Sequence, residues 1–370
     1  MFGKVKILSV FVAFTIISSS LSAASYSIKD LGLINNPILN NVDFLVRDIN
    51  DNGVISGTTV VLAGNRFERM ATIVDSIGIT TLTGLNGSSY AGGVNLSKQV
   101  AVTYDSQDFY FLGAVWSPTT NNPLKTFNNQ NAAAGAINNN GSVSGSIEVS
   151  GKQTAALWKG NQLNILSSLY GVTSSAAAIN NQDWVVGHSF KFDGGNASHA
   201  TLWRDGEMID LGTLGGRYSY ANSINDFGDI VGYSQYSLND YLANATLWSN
   251  GQIVDLGSLA NAGSNAADIN NHGLVVGSSY LNQNSNDTAA VLWENGVLKD
   301  INTLISPDSN WYLSSAIAVN NLGQIVGEGF YNGEKRIYMM SVVPEPTNSV
   351  MLIAGLGLIG LVQFRKKLNV

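Results

Sequence analysis

Residues 220–257 read YANSINDFGDIVGYSQYSLNDYLANATLWSNGQIVDLG, and this stretch holds one complete copy of the unit from which the chain is built. Its beginning predicts two strands, residues 220–225 and 229–234. The turn that joins them starts with Asn225, the last residue of the first strand, and ends with Gly228, which suits a type I turn. The first part of the unit is therefore a tight antiparallel hairpin.

The second part of the unit is another hairpin. A polar loop, residues 235–242, leads to a predicted strand at residues 244–249. The dipeptide Asn250-Gly251, a strong hairpin signal, joins it to a fourth strand at residues 252–257. Four short antiparallel strands in about 45 residues are typical of one blade of a β-propeller.

The unit recurs seven times, marked each time by an Ile-Asn or Val-Asn pair. Five copies keep the Gly of the turn, and two copies lack it. Successive asparagines are separated by 45, 43, 42, 45, 45 and 50 residues, and a fixed period of this length indicates repeats. The fold expected is all-β, a seven-bladed β-propeller. The seven asparagines are Asn50, Asn95, Asn138, Asn180, Asn225, Asn270 and Asn320.

The seventh copy is incomplete, which predicts how the ring closes. It offers strands at residues 314–320, 324–329 and 335–341, and no fourth strand follows. Residues 26–32 have the form of a fourth strand, with the same Asp-Leu-Gly ending as residues 253–257. Because an open ring leaves unpaired strand edges, we expect residues 26–32 to pair with residues 335–341.

Two residue types recur at fixed places in the copies. A Trp in the third strand predicts packing between blades rather than a ligand platform. An Asp in the fourth strand predicts a hydrogen bond to a nearby backbone amide rather than a metal ligand. The two series are Trp116, Trp158, Trp203, Trp248 and Trp293, and Asp30, Asp210, Asp255 and Asp300.

Composition argues against several classes of protein. There are no cysteines and three histidines, so thiolate and histidine metal sites are not expected. Five of the 19 basic residues lie at the two termini, so 14 face 26 acidic residues between Ser25 and Phe364, a net charge of −12 that disfavours nucleic acid. Residues 48–53 resemble the start of a calcium loop, but Thr59 stands where a bidentate Glu is needed. We expect no metal and no cofactor.

Catalytic motifs are also missing from the sequence. It contains no Gly-x-Ser-x-Gly elbow, no His-Glu-x-x-His helix and no P-loop, and residues 212–216 lack the spacing of a dinucleotide fingerprint. Paired carboxylates for glycoside hydrolysis cannot be located either. The expectation is a protein that is not an enzyme.

Residues 1–24 have the three parts of a secretory signal peptide. Lys4 and Lys6 precede an apolar run at residues 7–17, and cleavage is expected between Ala24 and Ser25. This run is too short to cross about 30 Å of hydrocarbon. The sequence thus predicts export of residues 25–342, the propeller domain.

Residues 343–370 form a second three-part signal. Pro344, Glu345 and Pro346 are followed by an apolar run at residues 350–362, expected to be a membrane helix, and by the basic residues Arg365, Lys366 and Lys367. This pattern resembles the PEP-CTERM sorting signal of Gram-negative bacteria. The resemblance implies exosortase as the processing partner, transient attachment to the inner membrane, and delivery to the cell surface or extracellular matrix.

The repeats have a resemblance of their own. Residues 199–203 and 210–216 read HATLW and DLGTLGG, which resembles the extracellular HAF repeat family over residues 196–300. Thr201 replaces the Phe for which that family is named, and the other copies lack the His. The resemblance implies an exported repeat protein and no settled activity.

The function expected is structural or adhesive, within an exopolysaccharide-rich matrix. The alternative is a module that binds a glycan or a protein through one face of the propeller. A binding module is expected to carry exposed aromatic and polar residues that are peculiar to certain blades. The sequence offers four candidates for such a surface, namely Trp184, Trp311, Tyr236 and Tyr241.

Overall fold

A computed structural model describes most of the repeat region. The signal peptide, its cleavage site at Ala24 and Ser25, Tyr241 and the sorting tail from Pro344 onward lie outside the described residues. Within the described part of the chain, no helix is both long and apolar enough to cross a membrane. The described residues are 26–32, 43–63, 66–85, 87–106, 110–118, 131–160, 162–192, 196–238, 242–284 and 286–343.

The strands form seven antiparallel sheets, one for each repeat, as predicted. Each sheet joins its strands in chain order, except for the blade that closes the ring. Blades 1 to 3 contain β2 Asp43–Ile49, β3 Ile55–Ala63, β4 Arg66–Val74 and β5 Ile79–Thr81; β6 Ser89–Val94, β7 Val100–Asp105 and β8 Phe111–Trp116; and β9 Ala132–Ile137, β10 Val143–Val149, β11 Lys152–Lys159 and β12 Gln162–Ile165.

Blades 4 to 7 complete the ring. Short 3₁₀ helices at Leu169–Gly171, Leu259–Asn261, Ile301–Leu304 and Pro307–Ser309 lie in the connections between blades. The strands are β13 Ser174–Ile179, β14 Val185–Phe192, β15 Asn196–Arg204 and β16 Glu207–Asp210; β17 Ser219–Ile224, β18 Ile230–Gln235, β19 Ala243–Ser249 and β20 Gln252–Asp255; β21 Ser264–Ile269, β22 Val275–Tyr280, β23 Thr288–Glu294 and β24 Val297–Asp300; and β25 Trp311–Val319, β26 Ile325–Tyr331, β27 Glu334–Val342 and β1 Tyr26–Gly32.

The first strand of each blade lies at the centre of the ring, where it contacts the first strands of its neighbours. These seven strands run in the same direction and end at the asparagine turns. The propeller therefore has a turn face, formed by the seven asparagine turns, and a loop face on the opposite side, where the second strand of each blade ends.

Strand β1 closes the ring, and this confirms the prediction. Strand β1 pairs antiparallel with β27, in a register that sets Tyr26 opposite Val342 and Ile28 opposite Met340. Ile28 packs against the apolar cluster between blades 6 and 7. The compact unit spans Tyr26–Val342.

The recurring tryptophans pack between blades, as expected. All five are buried, with at most 7% of their surface exposed. Two of them also tie their blade to the blade before it, because Trp203 Nε1 donates to the carbonyl of Ser167 at 2.7 Å and Trp293 Nε1 to that of Leu256 at 2.8 Å. Large rings fill the wedge that opens between neighbouring blades, and this requirement repeats with the blades.

The recurring aspartates bind backbone amides, again as expected. In each case Oδ1 accepts a hydrogen bond from the N–H two residues further on, at 2.7–2.9 Å. The bond turns the chain out of the fourth strand toward the next blade. The pairs are Asp30 with Gly32, Asp210 with Gly212, Asp255 with Gly257 and Asp300 with Asn302.

The asparagine turns place their fourth residue in the left-handed region. Gly228 has a φ of 84° and Gly273 a φ of 76°. In the two copies that lack the Gly, Lys98 and Asp183 adopt φ values of 56° and 63°. The turn thus keeps the same backbone geometry in these two copies, although a positive φ is energetically unfavourable for a residue other than Gly.

Candidate functional site

The seven repeat asparagines form a closed ring of hydrogen bonds around the axis. Each side-chain Nδ2 donates to the backbone carbonyl of the asparagine in the next blade, at 2.7–3.2 Å. The same side chain's Oδ1 accepts from two backbone N–H groups of its own turn, as Asn225 does from Phe227 and Asp229. All seven are buried. The asparagines therefore both shape the turns and join the blades.

The residue after each asparagine makes a second set of links on the turn face. Its backbone N–H donates to the side-chain oxygen of the corresponding residue in the next blade, at 2.7–3.0 Å in six of the seven steps. Leu96 has no side-chain acceptor, and there Asn52 Nδ2 donates to the Leu96 carbonyl instead. The residues in this second ring are Asp51, Leu96, Asn139, Asn181, Asp226, Asn271 and Asn321.

Asp226 is part of this ring and is therefore more than a residue of its own turn. Its carboxylate accepts hydrogen bonds from the backbone and side-chain nitrogens of Asn181 and from Nδ2 of Asn271. Burial alone raises the pKa of Asp226, but these hydrogen bonds outweigh it and lower the pKa. Asp226 joins blades 4, 5 and 6.

An axial cavity of about 470 Å³ lies inside the ring of first strands. In five of the seven blades, the residue before the recurring Ile-Asn or Val-Asn pair is small: Gly93, Ala136, Ala178, Ser223 and Ala318. Blades 1 and 6 differ, because they carry carboxylates there, Asp48 and Asp268. These two residues break the repeat inside the cavity.

Both carboxylates connect blades. Asp48 Oδ2 accepts from the N–H of Val94 in blade 2 at 2.9 Å, and Asp268 Oδ2 accepts from the N–H of Val319 in blade 7 at 2.8 Å. Asp268 Oδ1 also accepts from the Ser223 hydroxyl of blade 5 at 2.6 Å. The amide donors around Asp48 agree with the turn interpretation of residues 48–53 and not with a calcium loop.

Burial makes these two carboxyl groups weaker acids than usual. It raises the pKa of Asp48, and it raises the pKa of Asp268 to about 6, with a further contribution from the negative charge of Asp48. Arg47 also lies on the cavity wall, and its positive charge offsets part of the increase in the pKa of Asp48. No group of three or more metal-ligating side chains occurs among the residues that the structure describes.

A second cavity of about 320 Å³ adjoins the axial cavity toward the loop face. It is lined by Arg47, Tyr90 and residues of blades 1 to 3, and Arg47 also lines the axial cavity. The Arg69 guanidinium lies 5.8 Å from the centre of the Tyr90 ring. Arg47 and Arg69 of blade 1 and Tyr90 of blade 2 thus lie together, and this combination does not recur among the described residues of the other blades.

The structure separates the sequence candidates for a ligand surface. Trp184 lies on the turn face, half-buried, with the Arg204 guanidinium 5.4 Å from its ring and with Gly228 of the next blade against it. Trp311 and Tyr236 lie on the loop face, in blades 7 and 5. Trp311 is half-buried against Tyr331, and Tyr236 is exposed. These three do not form one cluster.

Exposed aromatic side chains are concentrated on one side of the ring. Eight of them, among the described residues, lie at or near the loop face, and Phe227 lies on the turn face. Sequence reasoning missed this because five of them lie at strand ends and three in connections, with no fixed spacing in the sequence. The eight are Phe67, Tyr110, Phe111, Tyr170, Tyr236, Tyr280, Tyr312 and Phe330.

Comparisons with known proteins support the fold. No family model matches the chain, and no curated protein matches it. Among solved structures, the β-propeller domain of the Trilobed protease from Pyrococcus furiosus, described as having an open Velcro topology, has a TM-score of 0.55 at 12% identity over 80% of this chain and 93% of that one.

Two further structures show the same relationship. Pyrococcus horikoshii acylaminoacyl peptidase gives a TM-score of 0.54 at 12% identity, and a Mycobacterium tuberculosis puromycin-hydrolyzing peptidase gives 0.53 at 10%. The matches cover 83% and 78% of this chain but only 53% and 49% of the peptidases. At these identities the similarity shows a β-propeller fold and nothing about activity.

Proposed function

We propose that the chain is an exported structural or adhesive protein of a bacterial envelope or of an exopolysaccharide-rich extracellular matrix, sorted and processed by exosortase. The observation that carries the proposal is the pairing of Tyr26 with Val342. This pairing sets both ends of the described propeller, residues 26 and 342, at the turn face. The loop face, where most exposed aromatic side chains lie, is opposite these two ends and is the surface proposed for contact with matrix components.

The rigid ring suits a role that is not enzymatic. The two carboxylates of the axial cavity already accept hydrogen bonds from neighbouring blades, and each bond joins structural elements rather than orienting another titratable group. Two complementary rings of hydrogen bonds on the turn face also oppose opening of the blades. A ring held together at its centre leaves its outer surfaces available for contact with other matrix components.

A glycan- or protein-binding module is the second candidate. It is favoured by features peculiar to single blades, since a purely structural requirement repeats with every blade. The carboxylates of blades 1 and 6 are one such departure from the repeat. The aromatic end of blade 7, where Tyr312 and Phe330 are exposed, is another.

Sorting is tested by mass spectrometry of the C-terminal peptide in secreted and membrane fractions of the producing cell. Cleavage near Pro344-Glu345-Pro346 is expected in secreted material. Glu345→Ala, or deletion of Arg365-Lys366-Lys367, is expected to leave the precursor in the membrane. Glu207→Ala, on the exposed surface of blade 4, is the matched control and is expected to be released normally. Secreted protein that still ends at Val370 would contradict the proposal.

A further inference from the structure

Blade 7 departs from the other blades at the loop face. In blade 6 the pairing of the first two strands ends at Ser264 and Ser279. In blade 7 it continues past the corresponding pair of residues to Tyr312 opposite Phe330 and Trp311 opposite Tyr331. The extension accompanies the longest spacing between repeat asparagines, 50 residues from Asn270 to Asn320. Among the described residues, blade 7 is thus the one whose first strand pair ends in opposed aromatic residues.

Three side chains form a row across this end of the sheet. Phe330 lies opposite Tyr312 on one side and opposite Lys335 on the other. Directly opposed residues point to the same side of an antiparallel sheet. The Tyr312 and Phe330 ring centres are 6.5 Å apart, with planes inclined at 31°. Tyr312, Phe330 and Lys335 are all exposed, and we call them the aromatic row.

The aromatic row is held in place by its neighbours. The Tyr312 hydroxyl donates to the carbonyl of Thr288 in blade 6 at 2.7 Å, and Lys335 Nζ lies 2.9 Å from Glu328 Oε2. Behind the row, the Trp311 ring packs against Tyr331 with ring centres 5.3 Å apart. Rings fixed before a ligand arrives lose little conformational entropy on binding.

Acidic groups lie close to the rings. Burial raises the pKa of Tyr312, and the negative charges of Asp300 and Asp287 raise it further. Glu328 stands two residues before Phe330 on the same strand, and therefore on the same side of the sheet. Carboxylates next to exposed rings provide hydrogen-bond acceptors for hydroxyl groups, and Lys335 provides a donor.

The size of the aromatic row distinguishes between classes of ligand. Tyr312 is 39% exposed and Phe330 is 40% exposed. An aromatic side chain has a surface of about 150–250 Å², so the two rings offer on the order of 150 Å² together. A stable protein interface needs about 800 Å² from each partner. One or two sugar rings, which stack their C–H faces on aromatic rings, match the smaller area.

We propose that the aromatic row binds a neutral pyranose glycan, with sugar rings stacked on Tyr312 and Phe330 and hydroxyl groups bonded to Glu328 and Lys335. The inference rests on the adhesive or binding form of the proposed function and assigns it a ligand class and a site. It does not depend on how the tail is processed. Failure of the sorting experiment and failure of glycan binding are therefore separate results.

The test is titration calorimetry of the full-length chain, in a detergent without sugar groups, with cellohexaose, chitohexaose and mannohexaose as probes. At least one probe is expected to bind with a Kd below about 1 mM. Tyr312→Ala and Phe330→Ala are each expected to weaken binding at least fivefold, whereas Tyr312→Phe, which keeps the ring, is expected to retain most of it.

Two exposed phenylalanines elsewhere serve as controls. Phe227→Ala on the turn face and Phe67→Ala in blade 1 are expected to bind the probe as the unaltered protein does. Thermal melting of every variant checks that the propeller is intact, and Tyr312→Leu replaces Tyr312→Ala if the latter melts early. Binding of none of the three probes overturns the proposal. So does binding that Phe330→Ala leaves unchanged.

Discussion

The side-chain nitrogen of Asn320 donates to the backbone carbonyl of Asn50 at 3.0 Å, joining residues 270 positions apart in the sequence. This is the last of the seven links in the asparagine ring. It joins blade 7 to blade 1, as the β1–β27 pairing joins the two ends of the propeller. The ring is thus closed twice, at its axis and at its circumference.

Asn320→Ala is expected to lower the free energy of unfolding by about 2–4 kcal/mol, because it removes one buried and three partly buried hydrogen bonds and leaves their partners unsatisfied. Asn320→Asp keeps the turn acceptor but loses the donor to Asn50. A comparable loss is therefore expected for it, by urea denaturation. Asn140→Ala, which removes one exposed side-chain bond, is the control. Full stability of Asn320→Asp would mean that the asparagine serves its own turn alone.

Gly228→Ala is expected to be more destabilising than Gly273→Ala by about 1–2 kcal/mol. Both glycines have the same turn position and similar φ values, so the backbone cost is shared. A Cβ at Gly228 would lie 2.9 Å from a ring carbon of Trp184, whereas a Cβ at Gly273 would meet nothing within 4 Å. Thermal melting compares the two variants. In a Trp184→Ala background the difference is expected to shrink, and an unchanged difference would rule out the contact as its cause.

Asp268→Asn removes a buried charge but also replaces one acceptor oxygen with a donor, so its effect on stability is expected to be more favourable at pH 7.5 than near pH 4, by on the order of 2 kcal/mol. The folded-state pKa of Asp268, about 6, lies above the ordinary value of 3.8, so the folded protein favours the protonated form. The wild type therefore loses stability as the pH rises from about 4 through 6. Urea denaturation across this range measures the difference between the two proteins.

In the same experiment, Asp226→Asn is expected to show the opposite dependence of stability on pH. The pKa of Asp226 is lowered in the folded protein, so its contribution is present above the ordinary carboxyl pKa and is lost as the pH falls. The penalty of Asp226→Asn is therefore expected to be larger at pH 7 than at low pH. The assignment of the raised pKa to Asp268 fails if the difference between wild type and Asp268→Asn is the same at every pH.

Deletion of residues 26–32 from the full chain is expected to lower the melting temperature and to cause association. The deletion removes Ile28 from the cluster between blades 6 and 7 and exposes the edge of β27. Unpaired edges pair with other chains. Size-exclusion chromatography follows the association, and a peptide of residues 25–33 added in excess is expected to reverse it by mass action. A monomer of unchanged stability would show that ring closure does not depend on β1.

Features that each repeat needs on its own account can be recognised in the amino-acid sequence. The period near 45 residues fixed seven blades, and the Asp-Leu-Gly ending of residues 26–32 identified the strand that closes the ring. The Trp and Asp series, of which Trp293 and Asp255 are members, were assigned correctly. These features can be recognised from the sequence because they come from local hydrogen bonds and from side-chain volumes that recur with the strand pattern.

The contacts between blades become visible only in the folded protein. Asn225 and Asp226 look like turn residues in the sequence, yet each also bonds to neighbouring blades. One clue was present, since Asn95 and Asn180 remain where the turn Gly is lost. Contacts between residues about 45 positions apart depend on how blades are arranged around the axis, and no local pattern encodes that arrangement.

The candidate binding surface shows the same division. Sequence reasoning selected Trp311 because it lies outside the regular Trp series, but its more exposed neighbours Tyr312 and Phe330 were not selected. Phe330 follows Tyr312 by 18 residues, and the two rings meet only because β25 and β26 pair in one particular register. That register is set by the strand bulges and by packing against blade 6. The physical reason is that side chains far apart in sequence share a surface only after the sheet has formed.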